Sequence, residues 1–444
     1  MGIKVVKFGG TSLASAEQFR KVIDIIQADA DRRYVVPSAP GKRHSEDDKV
    51  TDLLIHCHRM SDDENALRSL FDYICHRYNE IIAGLELKLD LSREYEEIYN
   101  RMASGASLDY CASRGEYLSG KVLSCALGYD FIDPADHIFF TMRGQFDPDA
   151  THESLSRCLE AHPHAVIPGF YGSYRDGRIK TFSRGGSDVT GSIVARAVQA
   201  EEYENWTDVS GFMMADPRLV SNPRTIPSMS YRELRELSYM GANVLHEDAI
   251  FPVRQARIPI HIRNTNRPQD AGTVIDDRAE LQLDGQVTGI AGKKGFVALC
   301  IDKSMMNSEL GFGRRVLTVL ENHGISFEYM PTGIDSLTIV LNAASLRDHL
   351  DEILQQISEA VDPDRIQVYE NLAMIAVVGH GTAGHVGIAA KLFGGLAKAG
   401  INVRIIDQGP SEMNITVGVD ENDYARAVAA IYQAFVPNEE ENHD

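Results

Sequence analysis

Ile3-Lys4-Val5-Val6-Lys7-Phe8-Gly9-Gly10-Thr11-Ser12 sets the reading of this chain. Residues 3–8 predict a strand rich in β-branched side chains, and the Gly-Gly pair predicts a turn that ends it. Phe19, Val22, Ile23 and Ile26 then recur at helical spacing, behind a Ser15/Gln18 pair placed as a capping box. Strand, glycine turn and helix in that order are the building unit of a layered α/β domain. The turn suits anions, because backbone amides and the positive end of the helix dipole favour phosphate oxygens and Lys7 adds a full charge; taken alone, the motif reads more simply as a Gly-Gly turn beside a snorkelling lysine. It is no Walker A loop, since GxxxxGK[ST] is missing and the lysine precedes the glycines.

A second unit repeats the pattern. Residues 178–182 predict a strand, Ser183-Arg184-Gly185-Gly186-Ser187-Asp188 a turn, and Ile193, Val194 and Ala197 one face of the helix that follows. A further strand is expected to end at Trp206-Thr207-Asp208-Val209 and another to cover 258–263, and turn residues from Asn264 to Gly272 close the region. Ligands of open α/β sheets bind at strand carboxyl ends, so two anion-ready turns there favour a phosphate or carboxylate site. Taken alone, Arg184 is equally readable as a surface ion pair and Asp188 as a helix cap.

Past residue 285 the chain matches itself at an offset of 76 residues, pairing Gly311 with Gly387, Leu320 with Leu396, Gly324-Ile325 with Gly400-Ile401 and Gly333 with Gly409. Each copy reads glycine, helix, turn, strand, turn, strand. Units this small are expected to pack on one another or across a dimer. The Asn438-Glu439-Glu440-Glu441 run reads as a disordered, solvated tail.

The formal charge of −20 argues against nucleic acid or an anionic membrane as partner. Six scattered cysteines without CxxC spacing read as reduced structural thiols. No signal-peptide pattern and no apolar run near the roughly 20 residues of a membrane span is found, so a cytoplasmic enzyme is expected. His44, His56, His58, His162 and His164 sit in helical or loop contexts without carboxylate partners at ligand spacing, and no protein-ligated metal is expected.

Val5 to Leu13 resembles the aspartokinase signature, and further matches follow in that family's order. Ser113 to Ser119 is similar to its (H/R)GE segment, Phe182 to Asp188 to its GRGGSD turn, Trp206 to Arg218 to its WTDVxGxxxxDPR stretch, and Gly241 to His246 to its GAKVLH motif. The repeats resemble its paired ACT domains. The resemblance implies an α/β fold: an amino-acid-kinase (carbamate-kinase-like) three-layer αβα sandwich over 1–280, then two ferredoxin-like ACT domains over 285–370 and 371–436. These would be intertwined, with 285–295 joining the second. It further implies an aspartate kinase that transfers the γ-phosphoryl of ATP to the β-carboxylate of aspartate and opens lysine, threonine and methionine biosynthesis.

By the same resemblance, Lys7 and Asp188 are catalytic, and Arg184 and Glu116 hold the substrate's carboxylate and ammonium. Ser38, Thr51, Gly185 and Ser187 complete the substrate set. Gly9, Gly10, Ser12, Thr207, Asp208, Met213, Asp216, Arg218 and Asn243 would meet the nucleotide, with Mg²⁺ held mainly through its phosphates. Asn243 stands where the family has lysine and Met213 where it has an aromatic. The charged 40–49 loop is longer than usual and is readable as a lid or, more simply, a solvated loop. A carboxylate nucleophile is already ionised at neutral pH, so no general base is needed.

ACT-like repeats imply an amino-acid effector, lysine first and threonine second, near Met306, Gly311, Phe312, Gly313, Glu328 and Thr332. They also imply a homodimer through these domains, with a tetramer left open. A homoserine dehydrogenase domain is not expected. The competing readings are another amino-acid kinase and a catalytically silent amino-acid sensor.

Overall fold

The computed structural model describes residues 2–183, 185–242, 245, 250–277, 287–346 and 349–436. Strands Arg32–Pro37, Lys4–Phe8, Glu202–Thr207 and Ile260–Asn264 lie side by side and parallel. Ala165–Val166 and Asp130–Phe131 extend one flank of this sheet, and Thr273–Ile275 and Ser228–Met229 the other. Only the pairing of Ile260–Asn264 with Thr273–Ile275 is antiparallel.

The two-residue period of a strand sorts the opening segment between two faces. Val6 and Phe8, with Trp206, join the core built by helices Ala16–Gln27, Val50–Arg59, Glu64–Gly84, Ser92–Ala103 and Leu108–Leu127. Lys7, Tyr203 and Asn205 project the other way, toward helix Gly186–Ala197. That helix lies so close that a Cβ on Gly191 would stand 2.5 Å from the Tyr203 hydroxyl. Helices on both faces of a mainly parallel sheet give the expected three layers. Ser15 caps the first helix by accepting from Gln18 N at 3.4 Å, but the Gln18 amide turns to Asn266 Oδ1 at 3.1 Å, so only half of the capping box forms.

A buried carboxylate ties the central strands together. Glu204 is fully buried and accepts from Arg32 Nε at 2.8 Å, Arg32 Nη2 at 3.1 Å and Trp206 Nε1 at 2.8 Å. Arg263 Nη1 lies at 3.5 Å and Lys4 Nζ at 3.7 Å. The Arg32 and Arg263 guanidinium groups also stand over the Trp206 ring, at 5.2 and 4.6 Å from its centroid.

The C-terminal half forms a six-stranded antiparallel sheet in the order Phe327–Tyr329, Ser336–Asn342, Gly289–Asp302, Arg365–Val378, Asn414–Asp420, Ile405–Asp407. The two 14-residue strands serve both repeats. Residues 296–302 pair with Ser336–Asn342, residues 372–378 pair with Asn414–Asp420, and the long strands pair with each other throughout. Helices Phe312–Asn322 and Ile388–Lys398 keep the offset of 76 residues, each behind a glycine at positive φ (Gly311 +78°, Gly387 +99°). Only glycine holds that conformation cheaply.

The chain does not divide at one point near residue 280. One compact unit comprises Met1–Phe212, Thr225–Tyr231 and Asn243–Ala279, and the other Met213–Arg224, Arg232–Ala242 and Glu280–Asp444. Within the second unit, Glu233 Oε1 accepts from Thr288 Oγ1 at 2.5 Å and His380 N at 2.7 Å, and Glu236 Oε2 accepts from Asn414 Nδ2 at 2.7 Å. These bonds draw residues 232–242 out of the span that the sequence assigned to the catalytic part. Among the described residues no helix is long and apolar enough to cross a membrane.

Glu204→Gln is expected to destabilise the first unit by about 3–5 kcal/mol, because it leaves buried cations without a full counter-charge. Denaturant unfolding of the variant checks this, and a loss below about 1 kcal/mol would contradict it.

Candidate active site

Lys7, on the strand face toward helix Gly186–Ala197, is 7% exposed, and its Nζ lies 2.5 Å from Asp188 Oδ1 and 3.4 Å from Asn205 Oδ1. Asn205 Nδ2 in turn donates to Asp188 Oδ1 at 2.9 Å. The pair is mostly buried, so the arrangement is one of low dielectric and fixed geometry. The sequence reading found Lys7 and Asp188 but missed Asn205, whose signal is a polar residue inside a strand that continues into the Trp206-Thr207-Asp208 motif.

Three turns converge around this pair. Gly9 N donates to Trp206 O at 3.0 Å, Ser38 N to Phe8 O at 3.1 Å and Gly41 N to Gly10 O at 2.8 Å. A Cβ on Gly10 would sit 2.9 Å from Ala39 O, so this crossing requires glycine. Gly185 takes a left-handed conformation (φ +55°) as N-cap of its helix. A Cβ on Gly186 would meet the Phe170 ring at 2.5 Å, and Phe170 itself holds φ +79°, a strained conformation for an aromatic residue. Phe170 was not foreseen. Ser187 packs on Gly169, where a Cβ would stand 2.5 Å from its hydroxyl oxygen.

The 40–49 loop is neither a free lid nor a merely solvated loop. Its exposed tip is Lys42 to Glu46, but Asp47 is buried and held by Arg43 Nε at 2.8 Å and Nη2 at 3.1 Å. Arg77, 2% exposed on helix Glu64–Gly84, donates to Gly41 O at 2.8 Å and Asp48 O at 2.7 Å and lies 3.5 Å from Asp47 Oδ2. The Arg43 bond holds the Asp47 carboxyl well below its usual range. This clamp fixes the segment between Ser38 and Thr51, the second residue of helix Val50–Arg59.

Glu116 is 5% exposed on helix Leu108–Leu127, and its Oε2 is buried without a hydrogen-bond partner. Burial pushes its carboxyl up to about 8, against a smaller opposing pull from the Ala39 backbone amide. Gly115 beside it permits the approach, since a Cβ there would meet Ala39 Cβ at 2.6 Å. Arg114, also buried, stands over the rings of Tyr110, Tyr117 and Tyr171 at 4.6–5.1 Å.

The nucleotide candidates are divided between the two compact units. Thr207 and Asp208 close their strand in the first unit, and Asn264 Nδ2 donates to Asp208 O at 3.3 Å and Ser210 Oγ at 2.9 Å. Ser12 is 2% exposed, with its hydroxyl 2.7 Å from Thr265 Oγ1, so it braces the turn from within. Met213, Asp216 and Arg218 belong to the second unit. There Arg218 Nη2 lies 2.6 Å from Asp216 Oδ2, which pulls the Asp216 carboxyl down. Arg184, Asn243 and His246, like residues 438–441, lie outside the described residues.

Of the effector candidates, Met306 and Phe312 are core residues of the first repeat, at 6% and 4% exposure. Gly311 and Gly313 open the helix, and Thr332 Oγ1 donates to Met330 O at 3.2 Å. Glu328 is already engaged by the Tyr239 hydroxyl, which donates to its Oε2. Several histidines stand against carboxylates: His162 Nδ1 lies 2.8 Å from Asp130 Oδ2, His261 Nδ1 3.1 Å from Glu202 Oε1 and His76 Nε2 3.3 Å from Glu80 Oε1.

Known proteins bear on this geometry. Residues 2–264 match the amino acid kinase family, and residues 375–435 match the ACT domain. The chain is 38% identical over 449 residues to aspartokinase 3 of Bacillus subtilis, covering 98% of each. Its fold is similar to that of aspartate kinase from Clostridium acetobutylicum, at TM-score 0.90 and 48% identity over 99% of this chain and 100% of the other. It is also similar to Escherichia coli aspartokinase III, solved with aspartate and ADP in an R-state and with lysine and aspartate in a T-state. Both comparisons give TM-score 0.74 and 26% identity and cover 99% of that chain, with 97% and 98% of this one.

Glu116 gives a prediction with a definite sign. Its folded value, near 8, lies above the ordinary 4.5. Between about pH 5 and 8 the folded chain therefore keeps a proton that the unfolded chain has lost, and stability falls as pH rises, by up to about 1.4 kcal/mol per unit. Denaturation across that window should show the slope in the wild type and a flatter one in Glu116→Gln; equal slopes would contradict the assignment.

With the glycine turns, the Lys7–Asp188 pair, the buried glutamate and a full-length match all in place, the chain belongs to the aspartokinases, the ATP-dependent aspartate kinases of the amino acid kinase family, with ACT-type repeats in its C-terminal half.

Proposed function

We propose that phosphoryl transfer takes place where Lys7 stands, between the turns at Gly9-Gly10 and Gly185-Gly186. The γ-phosphoryl of ATP passes to the β-carboxylate of aspartate, giving ADP and 4-phosphoaspartate at the head of lysine, threonine and methionine synthesis in the cytoplasm. The carrying observation is the 7%-exposed Lys7 ammonium held 2.5 Å from Asp188 at the carboxyl ends of parallel strands. A cation fixed there meets charge that builds on the transferring group without first reorganising, which is the largest contribution a protein makes to this chemistry.

Glu116 pairs with the substrate ammonium and Arg184 with its α-carboxylate, while Ser38, Thr51 and Ser187 supply hydrogen bonds. Because free Glu116 is held near 8, the arriving ammonium draws its proton off, and aspartate binding is expected to release a proton at neutral pH. The acceptor carboxylate needs no base, so positioning and charge neutralisation carry the reaction. Asp188 and Asp208 offer the oxygen ligands that Mg²⁺ takes. Bound to the nucleotide phosphates, Mg²⁺ would neutralise their charge.

Lysine is the proposed inhibitor, acting at the first repeat, with threonine second. Its amine would compete with Tyr239 for Glu328, and binding would shift the population toward an inactive arrangement. Edge strand Phe327–Tyr329 supports a homodimer through the repeats, since it ends the sheet with Phe327 44% exposed and Ile334 71% exposed nearby.

Lys7→Ala is expected to lower kcat by about two to three orders of magnitude in an aspartate-dependent ADP-release assay while the chain stays folded by circular dichroism. Undiminished turnover would remove Lys7 from the mechanism. Tyr239→Phe frees Glu328 and should lower the lysine concentration for half-inhibition several-fold without changing kcat. The reading of Glu328 fails if the inhibition curve does not move.

A further inference from the structure

We propose that His323, His349 and Glu352 form a binding site for a divalent transition-metal ion of the zinc class, joining the two helices of the first repeat. Among the described residues this is the group of three potential ligands whose donor atoms all lie within 4.8 Å of one another. Linear sequence hides it, because the ligands come from opposite ends of two helices. His323 caps the carboxyl end of helix Phe312–Asn322, His349 is the N-cap of helix Leu350–Val361, and Glu352 lies in that helix's first turn.

Two of the three side chains are already held by a fourth. Gln356 Nε2 donates to Glu352 Oε1 at 3.1 Å, and Gln356 Oε1 lies 3.1 Å from His323 Nε2. That amide orientation makes His323 Nε2 the N–H and leaves the lone pair on Nδ1. A hydrogen bond that fixes the tautomer of one ligand and the rotamer of another is the outer-shell support found behind metal-binding histidines. The second carboxylate oxygen, Oε2, faces His349 Nδ1 at 3.9 Å, and the two imidazole rings lie 5.6 Å apart between centroids.

Zinc–nitrogen bonds of about 2.0–2.1 Å in a tetrahedral site place donors about 3.4 Å apart, so the group must close by about an ångström. His349 and Glu352 have side chains 52% and 58% exposed, and side-chain rotation alone can supply that movement. The negative end of the first helix's dipole favours a cation beside His323. The amino end of the second helix opposes one beside His349, and the Glu352 charge offsets this. Two imidazoles with one carboxylate select zinc, cobalt, nickel or copper over magnesium and calcium, which take oxygen ligands. Both helices contribute to the core of the first repeat, so the ion would cross-link that repeat.

The test uses the untagged full-length chain stripped by a chelator and titrated with Zn²⁺ by calorimetry and with Co²⁺ by visible absorbance. The expected result is one ion per chain, at least tenfold weaker binding in His323→Ala and in His349→Ala, and none in the double variant. Zn²⁺ should also raise the melting temperature of the wild type and leave that of the double variant unmoved, because an ion that binds only the folded state stabilises it. Circular dichroism establishes that the variants fold. The chain carries fifteen histidines, so binding of equal strength in the double variant would place the ion elsewhere and overturn the proposal, as would no binding to the wild type.

Discussion

A lysine placed in the middle of a sheet needs an anion beside it, and the 2.5 Å contact of Lys7 with Asp188 meets that need from far along the chain. Much else follows from this contact. It sets the first strand against helix Gly186–Ala197, which obliges Gly185 to turn left-handed and Gly186 to lie on Phe170. Neighbouring Asn205 fixes the shared carboxylate oxygen. A charge paired in this way is ready for a second anion, because the partner that stabilises it at rest can yield when phosphate arrives.

The same economy of close approach governs the surroundings of Glu116. Gly10 and Gly41 cross at a distance no Cβ would allow, and Gly115 lets a helix settle on Ala39 so that Glu116 arrives buried and without a full set of partners. A carboxyl held near 8 is costly to ionise in the empty protein and cheap to ionise beside an ammonium. Arg77 and Asp47 hold the intervening loop by its two ends, with the tip from Lys42 to Glu46 left to solvent.

Local chemistry made the frame legible in the sequence. Alternation in residues 3–8, the Ser15 cap and the glycine turns named the first layers, and the offset of 76 residues named the repeats. What escaped reading depends on partners remote in sequence. Nothing near Arg77 says that it binds Gly41, nothing near Glu328 points to Tyr239, and two segments leave the catalytic span through remote partners: 232–242 by the bonds of Glu233 and Glu236, 213–224 by the Met214 carbonyl's bond from Ile290 N and by Ala215 and Val220 in the second core. Met306 and Phe312, named as effector candidates by resemblance, lie in the core of the first repeat, a placement that their apolar side chains already favoured.

The central claim is that this cleft makes an acyl phosphate by joining two anions around a fixed cation. Hydroxylamine traps such a product as a hydroxamate, so the most direct measurement is hydroxamate formation by the full-length chain supplied with ATP and aspartate. The account predicts aspartate β-hydroxamate accumulating in step with ADP and requiring both substrates. ADP appearing without hydroxamate would show phosphoryl transfer to water, and the claim would fall.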